Sequence, residues 1–196
     1  MTFSDMEDLI TISFPVYNVA STIERSLMSA LNQTYSNIEY LIVDDCGSDN
    51  SMDILKNILH NTSRKDQVKI IRHSSNKGLG AVRNTSIENA SGKYIYFMDS
   101  DDVLAADALE CCYRKCEEED LNAVIFEAEV LTEDKETRFS FNYHYKDLED
   151  RVYGGIELMN FLLDTNQFCV SPCMLLLRAS LLKRWSPVFY LSLIHI

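Results

Sequence analysis

Apolar residues in this chain follow two alternating patterns, short unbroken runs and longer stretches with a helical repeat. The first run, residues 9–16 (LITISFPV), is rich in β-branched residues and stops at Tyr17-Asn18, which predicts a buried strand. A helix is predicted to start at Ser21, with Glu24 three residues on in the positions of a capping box. Ile23, Leu27, Ala30 and Leu31 then form one buried face. Residues 40–43 predict a second strand ending in Asp44-Asp45, and Asp49 or Ser51 caps a helix carrying Met52, Leu55, Ile58 and Leu59. A third strand is expected over 68–71. The loop Asn76-Lys77-Gly78 leads from it to a helix with Leu79, Val82, Ile87 and Ala90 inward. Residues 94–98 predict a fourth strand that runs straight into Asp99-Ser100-Asp101-Asp102. A helix over 105–119, with Leu109, Cys112, Tyr113 and Cys116 on one face, and a strand over 123–131 complete this pattern.

Short, fully apolar strands alternating with amphipathic helices predict an α/β fold, a mostly parallel central sheet with helices on both faces. After about residue 132 the pattern loosens, and residues 133–153 are charged and aromatic without a clean period. A helix over 156–164 is expected to pack Leu158, Met159, Leu162 and Leu163, followed by a strand over 174–177 and a helical turn over 179–183. No internal repeat or low-complexity tract interrupts the chain.

Composition narrows the options. A chain of 196 residues with 46% hydrophobic residues is the size of one domain with a sizeable core. Its formal net charge of −12 argues against nucleic acid and against non-specific attachment to an anionic membrane surface. The acidic start, residues 1–8, does not resemble a signal peptide, and no 18-residue apolar stretch occurs, so a cytoplasmic protein is expected. Cys46, Cys111, Cys112, Cys116, Cys169 and Cys173 lack the short Cys-x-x-Cys spacing and nearby histidines of a zinc site, and read as buried, reduced structural thiols. The sequons at Asn32, Asn61, Asn84 and Asn89 read as chance matches in that setting.

Chemistry concentrates at the strand ends. In an open α/β sheet, ligands sit beyond the carboxyl ends of the strands, where Tyr17-Asn18, Asp44-Asp45 and Asp99-Ser100-Asp101-Asp102 all fall. Three acids within four residues repel one another in a shared pocket unless a positive group lies between them. A divalent cation with oxygen ligands, Mg²⁺ or Mn²⁺, is the natural occupant, and such ions usually take phosphate oxygens as well. Asp102 could equally cap the helix that follows, and Asp44-Asp45-Cys46-Gly47 could be an ordinary polar turn.

Five segments in order resemble family 2 glycosyltransferases of the GT-A fold: FPVYN at 14–18, SALNQTY at 29–35, IVDDCGSDNS at 42–51, NKGLGAVRN at 76–84 and FMDSDD at 97–102. The resemblance is close over residues 9–131 and looser over 132–190. It implies a nucleotide-sugar (donor) binding α/β half at 1–131, part of the acceptor side of the same domain at 132–190, and a tail at 191–196 that does not resemble the family. It also implies that Pro15 and Tyr17 line the nucleoside pocket, with Tyr17 against the base, and that Asp45 accepts a hydrogen bond from the base. Arg83 would sit near the diphosphate or support the loop beneath it. Asp99 would lie by the ribose and the metal, and Asp101 would be the principal metal ligand. Cys46 stands where the family commonly has Gly or Asn, and Ala106 where it often has Pro.

The resemblance implies inverting transfer of a sugar, UDP-activated as the family expectation has it, to a glycan or lipid-linked acceptor in polysaccharide biosynthesis. The donor is expected to bind with Mg²⁺ or Mn²⁺. Family members place a general-base aspartate in a Glu-Asp pair beyond a segment like Leu175-Leu176-Leu177-Arg178. No acid follows Asp164 here, so the base is unassigned and the chain is expected to be cut short. Peripheral association at the inner face of the membrane is expected only through that missing part. An inactive donor-binding fragment is one alternative. A nucleotidyltransferase is another, disfavoured because residues 16–20 (VYNVA) carry neither glycine nor lysine.

Overall fold

A computed structural model describes residues 8–129, 152–167 and 171–184. The elements run β1 (Ile10–Val16), α1 (Ile23–Leu31), β2 (Ile38–Asp44), α2 (Ser51–His60), β3 (Val68–Arg72), α3 (Leu79–Asn89), β4 (Tyr94–Phe97), α4 (Ala108–Glu118), β5 (Ala123–Ile125), α5 (Gly155–Asp164), β6 (Leu175–Arg178) and α6 (Ala179–Arg184). The strands form a six-stranded sheet in the order β3-β2-β1-β4-β6-β5. Strands β1 to β4 are parallel neighbours, with Ile10 opposite both Ile38 and Tyr94, whereas β6 runs antiparallel to β4 and to β5. The expected mostly parallel α/β sheet is therefore present, with one reversed strand inserted near an edge.

The central strands β1, β2 and β4 are mostly apolar because both of their faces are covered. In β4, Tyr94 and Tyr96 join the core under α1, α2 and α4, while Ile95 and Phe97 join the opposite cluster with Ile87, Ala90 and Ala179 from the α3 and α6 side. Full burial of such side chains stabilises by roughly 1.5–3 kcal/mol each. The two polar residues inside β1 are satisfied rather than exposed: Thr11 Oγ1 donates to Glu39 at 2.6 Å, and Ser13 Oγ to Ser86 Oγ at 2.7 Å.

Several boundaries differ from the sequence expectation. Thr22, not Ser21, precedes α1, and its hydroxyl donates to Val19 O and Ser100 O, so no capping box forms there. Asn50 precedes α2, while Asp49 and Ser51 both reach back to the β1–α1 loop: Asp49 Oδ2 accepts from Ala20 N and Ser51 Oγ from Val19 N. Helix α4 begins at residue 108 and follows Asp107, so Asp102 caps nothing. Residues 104–106 stay outside the helix, tied to α1 and the loop after it: Leu104 N donates to Ser29 Oγ, Gln33 Nε2 to Ala105 O and Thr34 N to Ala106 O. The strand expected over 123–131 is three residues long, and its residues 130–131 lie outside the described ones. Met174 belongs to a 3-10 turn ahead of β6. The packing expected of α5 is largely absent. Only Leu162 is buried, while Met159 and Leu163 are exposed and Leu158 is half-buried, because few described residues lie over this helix. None of the described helices is long and apolar enough to cross a membrane.

Candidate functional site

Because β1 to β4 are parallel, their C-terminal ends share one rim, and the chain changes direction across the sheet between β1 and β4. That is the usual ligand position in such a sheet. The rim receives Tyr17 after β1, Asp45 after β2, His73 after β3 and Asp99 shortly after β4. Pro15 lies within β1, half-buried, and Tyr17 is 45% exposed beside it.

The first two rim loops are clipped together. Asn18 takes a positive φ of 52°, and its Oδ1 accepts from Ser48 N at 2.7 Å and Asp49 N at 3.4 Å. Gly47 is required by this contact, since a Cβ there would stand 2.9 Å from Asn18 N, a backbone atom that cannot step aside.

Asp45 is 2% exposed and already engaged: Oδ1 accepts from Lys77 N at 2.9 Å and pairs with His73 Nδ1 at 2.6 Å, while Oδ2 accepts from Gly78 N at 2.8 Å. The structure thus puts Asp45 beneath the Asn76-Lys77-Gly78 loop. His73, which the sequence reading passed over, continues the contact through Nε2 to Thr85 Oγ1 at 2.9 Å. One local signal could have flagged it: a histidine directly after a strand that ends on the same rim as Asp44-Asp45.

The acid turn after β4 hangs on α1 through its backbone. Thr22 Oγ1 donates to Ser100 O at 3.0 Å, Ser26 Oγ to Asp99 O at 3.3 Å and Arg25 Nη2 to Asp101 O at 3.1 Å, while Ser100 Oγ donates to Pro15 O. Arg83, on α3, pairs with Asp99 Oδ1 at 3.1 Å, which sets it beside the acids. Ligand atoms of Asp99, Asp102 and Cys173 all lie within 4.8 Å of one another, a convergence the sequence could not reveal because Cys173 comes from over 70 positions downstream. Asp101 is exposed in the same turn and is not one of these three.

The electrostatics follow from crowding. Burial raises the Asp99 carboxyl above the ordinary range and Asp101 adds to the rise, while Arg83 and the Cys173 thiol pull it down. Asp102 is raised by burial and by its neighbours Asp99 and Asp101. Burial, Asp99 and Asp102 push the Cys173 thiol up to about 11, against a hydrogen bond with Ser171. Such a group of like charges gains from a cation. The two carboxylates suit Mg²⁺ or Mn²⁺, and the thiol adds a softer donor than these ions usually take. Of the other cysteines, Cys112 and Cys116 are buried in the core as expected, whereas Cys111 is exposed, Cys46 and Cys173 are half-buried, and Cys169 lies outside the described residues.

The sequence model described as "Glycosyl transferase family 2" matches residues 11–185. The chain is 33% identical over 162 residues to "Glycosyltransferase GlyA" of Streptococcus pneumoniae, covering 83% of this chain and 23% of that one. It is 42% identical over 106 residues to the "UDP-Glc:alpha-D-GlcNAc-diphosphoundecaprenol beta-1,3-glucosyltransferase WfgD" of Escherichia coli, covering 54% and 40%. Among solved structures, S. aureus TarS 1-349 in complex with UDP-GlcNAc superposes with a TM-score of 0.69 at 22% identity, covering 91% of this chain and 47% of that one. The chain therefore spans less than half the length of each of these relatives.

Proposed function

The chain belongs to glycosyl transferase family 2, and from that premise we propose that it binds a nucleotide-sugar, UDP-activated, for metal-dependent, inverting transfer to a glycan or lipid-linked acceptor. The observation that carries this reading is the convergence of Asp99, Asp102 and Cys173, with Asp101 adjacent, at the rim of the parallel strands. The relatives add support, since WfgD is named for a UDP-glucose donor and a lipid diphosphate acceptor and TarS holds UDP-GlcNAc.

In this reading Asp99 and Asp101 hold Mg²⁺ or Mn²⁺, with Asp102 and Cys173 bordering the same space. A divalent cation, when bound, supplies Lewis-acid stabilisation of the charge that develops on the departing diphosphate. Arg83 keeps Asp99 in place and contributes positive charge next to the diphosphate. Tyr17 and Pro15 line the nucleoside side. Asp45 has three of its four acceptor positions occupied by the protein, so its contribution to the base is confined to the remaining one at Oδ2. The donor-binding role belongs to residues 1–131 and the acceptor side to 132–190.

Calorimetry tests this directly. UDP is expected to bind the chain only when Mn²⁺ or Mg²⁺ is present, and Asp101→Ala to weaken that binding by roughly tenfold or more. Metal-independent binding, or none with any nucleotide, would overturn the assignment. A parallel Asp102→Ala titration shows which of the two acids shares the cation with Asp99.

A further inference from the structure

His73 is a buried, titratable side chain that the transfer chemistry above does not use. It is 6% exposed and follows β3 at the rim. Its ring joins two elements, through Nδ1 to Asp45 Oδ1 at 2.6 Å and through Nε2 to Thr85 Oγ1 of α3 at 2.9 Å. Its own backbone is fixed as well, with N donating to Asp44 O at 2.9 Å and O accepting from Cys46 Sγ at 2.8 Å. No part of this residue is idle.

The hydrogen-bond roles can be assigned from the partners. The Lys77 and Gly78 amides can only donate, so the Asp45 carboxylate accepts from both. With that carboxylate also facing the ring, Nδ1 carries the proton toward Asp45. In the neutral ring Nε2 is then the acceptor of the Thr85 hydroxyl. The chain of donors runs one way, from Thr85 to His73 to Asp45. It fixes the carboxylate so that the loop amides have a single place to dock, and that loop starts α3: Gly78 precedes the helix with φ 84° and its carbonyl accepts from Val82 N.

We propose that His73 is a positioning residue for the nucleoside half of the donor, acting through Asp45 and the 76–78 loop and not by contact with the ligand. This rests on the donor-binding reading above. A ring nitrogen donor at Nδ1 is what the function needs, so a side chain that restores it should restore binding. Asparagine offers an amide N–H near the Nδ1 position, whereas phenylalanine keeps the ring volume and offers nothing.

The test compares two probes on the 196-residue chain in Mn²⁺: UDP, which has a base, and inorganic pyrophosphate, which has none. His73→Phe is expected to weaken UDP by roughly tenfold while leaving pyrophosphate within about twofold, and His73→Asn to recover most of the lost UDP affinity. A merely structural role predicts equal losses for both probes and no recovery with Asn, and either result overturns the proposal. Should His73→Phe not fold, Thr85→Val removes only the far hydroxyl and is expected to weaken UDP severalfold with pyrophosphate unchanged; no change in UDP affinity overturns the relay. If the parent binds pyrophosphate and UDP and His73→Phe binds both as the parent does, this inference alone fails. If the parent binds neither, the donor-binding reading fails with it.

Discussion

Strand β4 and helix α5 are both rich in apolar side chains, and the structure treats them in opposite ways. Tyr94, Ile95, Tyr96 and Phe97 are all buried, alternating between two clusters on the two faces of the sheet. In α5, Ile156 is 81% exposed, Met159 and Leu163 are also exposed, and only Leu162 is buried. Apolar content therefore does not decide burial; having covered neighbours on both sides does. The candidate site spans this contrast, since half-buried Asp99 and exposed Asp102 follow directly from β4 while Cys173 arrives on the segment between α5 and β6.

The contrast can be broken in the test tube, starting with the largest effect. Phe97→Ala should cost about 3–5 kcal/mol in urea unfolding, because a fully enclosed ring leaves a cavity. A loss near zero would mean that β4 is not the packed centre. Asp99→Ala should reduce Mn²⁺-dependent UDP affinity on the order of a hundredfold in calorimetry, since it removes both a proposed cation ligand and the carboxylate paired with Arg83. An unchanged affinity would separate the packed part from the function proposed for it.

A third, smaller effect concerns pH. Asp99 and Asp102 are both raised above an ordinary carboxyl, chiefly by burial. A raised folded value means that the folded protein holds these protons more tightly, so their contribution to stability is fully present below the unfolded value of about 3.9 and is lost as pH rises through the raised one. In EDTA, thermal unfolding of the parent should accordingly lose ground to an Asp99→Asn/Asp102→Asn double variant as pH is raised toward 7. Parallel pH profiles would refute the crowding. At the small end, Ile156→Ser should move stability by less than about 0.5 kcal/mol, and a larger loss would show that α5 is covered after all.

Much of the packed part was readable from the chain itself, for a definite reason. Strands covered on both faces are apolar at most positions, so β1, β2 and β4 announce themselves within a residue or two. Helix starts were less legible. Ser21 and Asp102 look like caps, yet Thr22 is tied to Ser100, and residues 104–106 are held outside α4 by Ser29, Gln33 and Thr34, contacts between segments far apart in sequence. The apolar spacing in α5 shows a stripe but not whether anything lies over it. At the site, the acids and the glycine-bearing loop were visible because each motif is local. Cys173 and Thr85 were not, because each matters only through a partner that folding brings near.

The order of the strands carries a consequence for biosynthesis. Strand β6 lies between β4 and β5 although it is synthesised some 50 residues after β5. A nascent chain that has released β5 has a sheet ending at β4, whose Tyr94–Phe97 backbone stays open to other partners until residues 175–178 emerge. At ordinary elongation rates that interval is roughly 3–10 s. Strand β6, the last of the described strands, is thus the one that closes the gap, and the interval before it arrives leaves this edge of β4 open to mispairing with another copy of the chain.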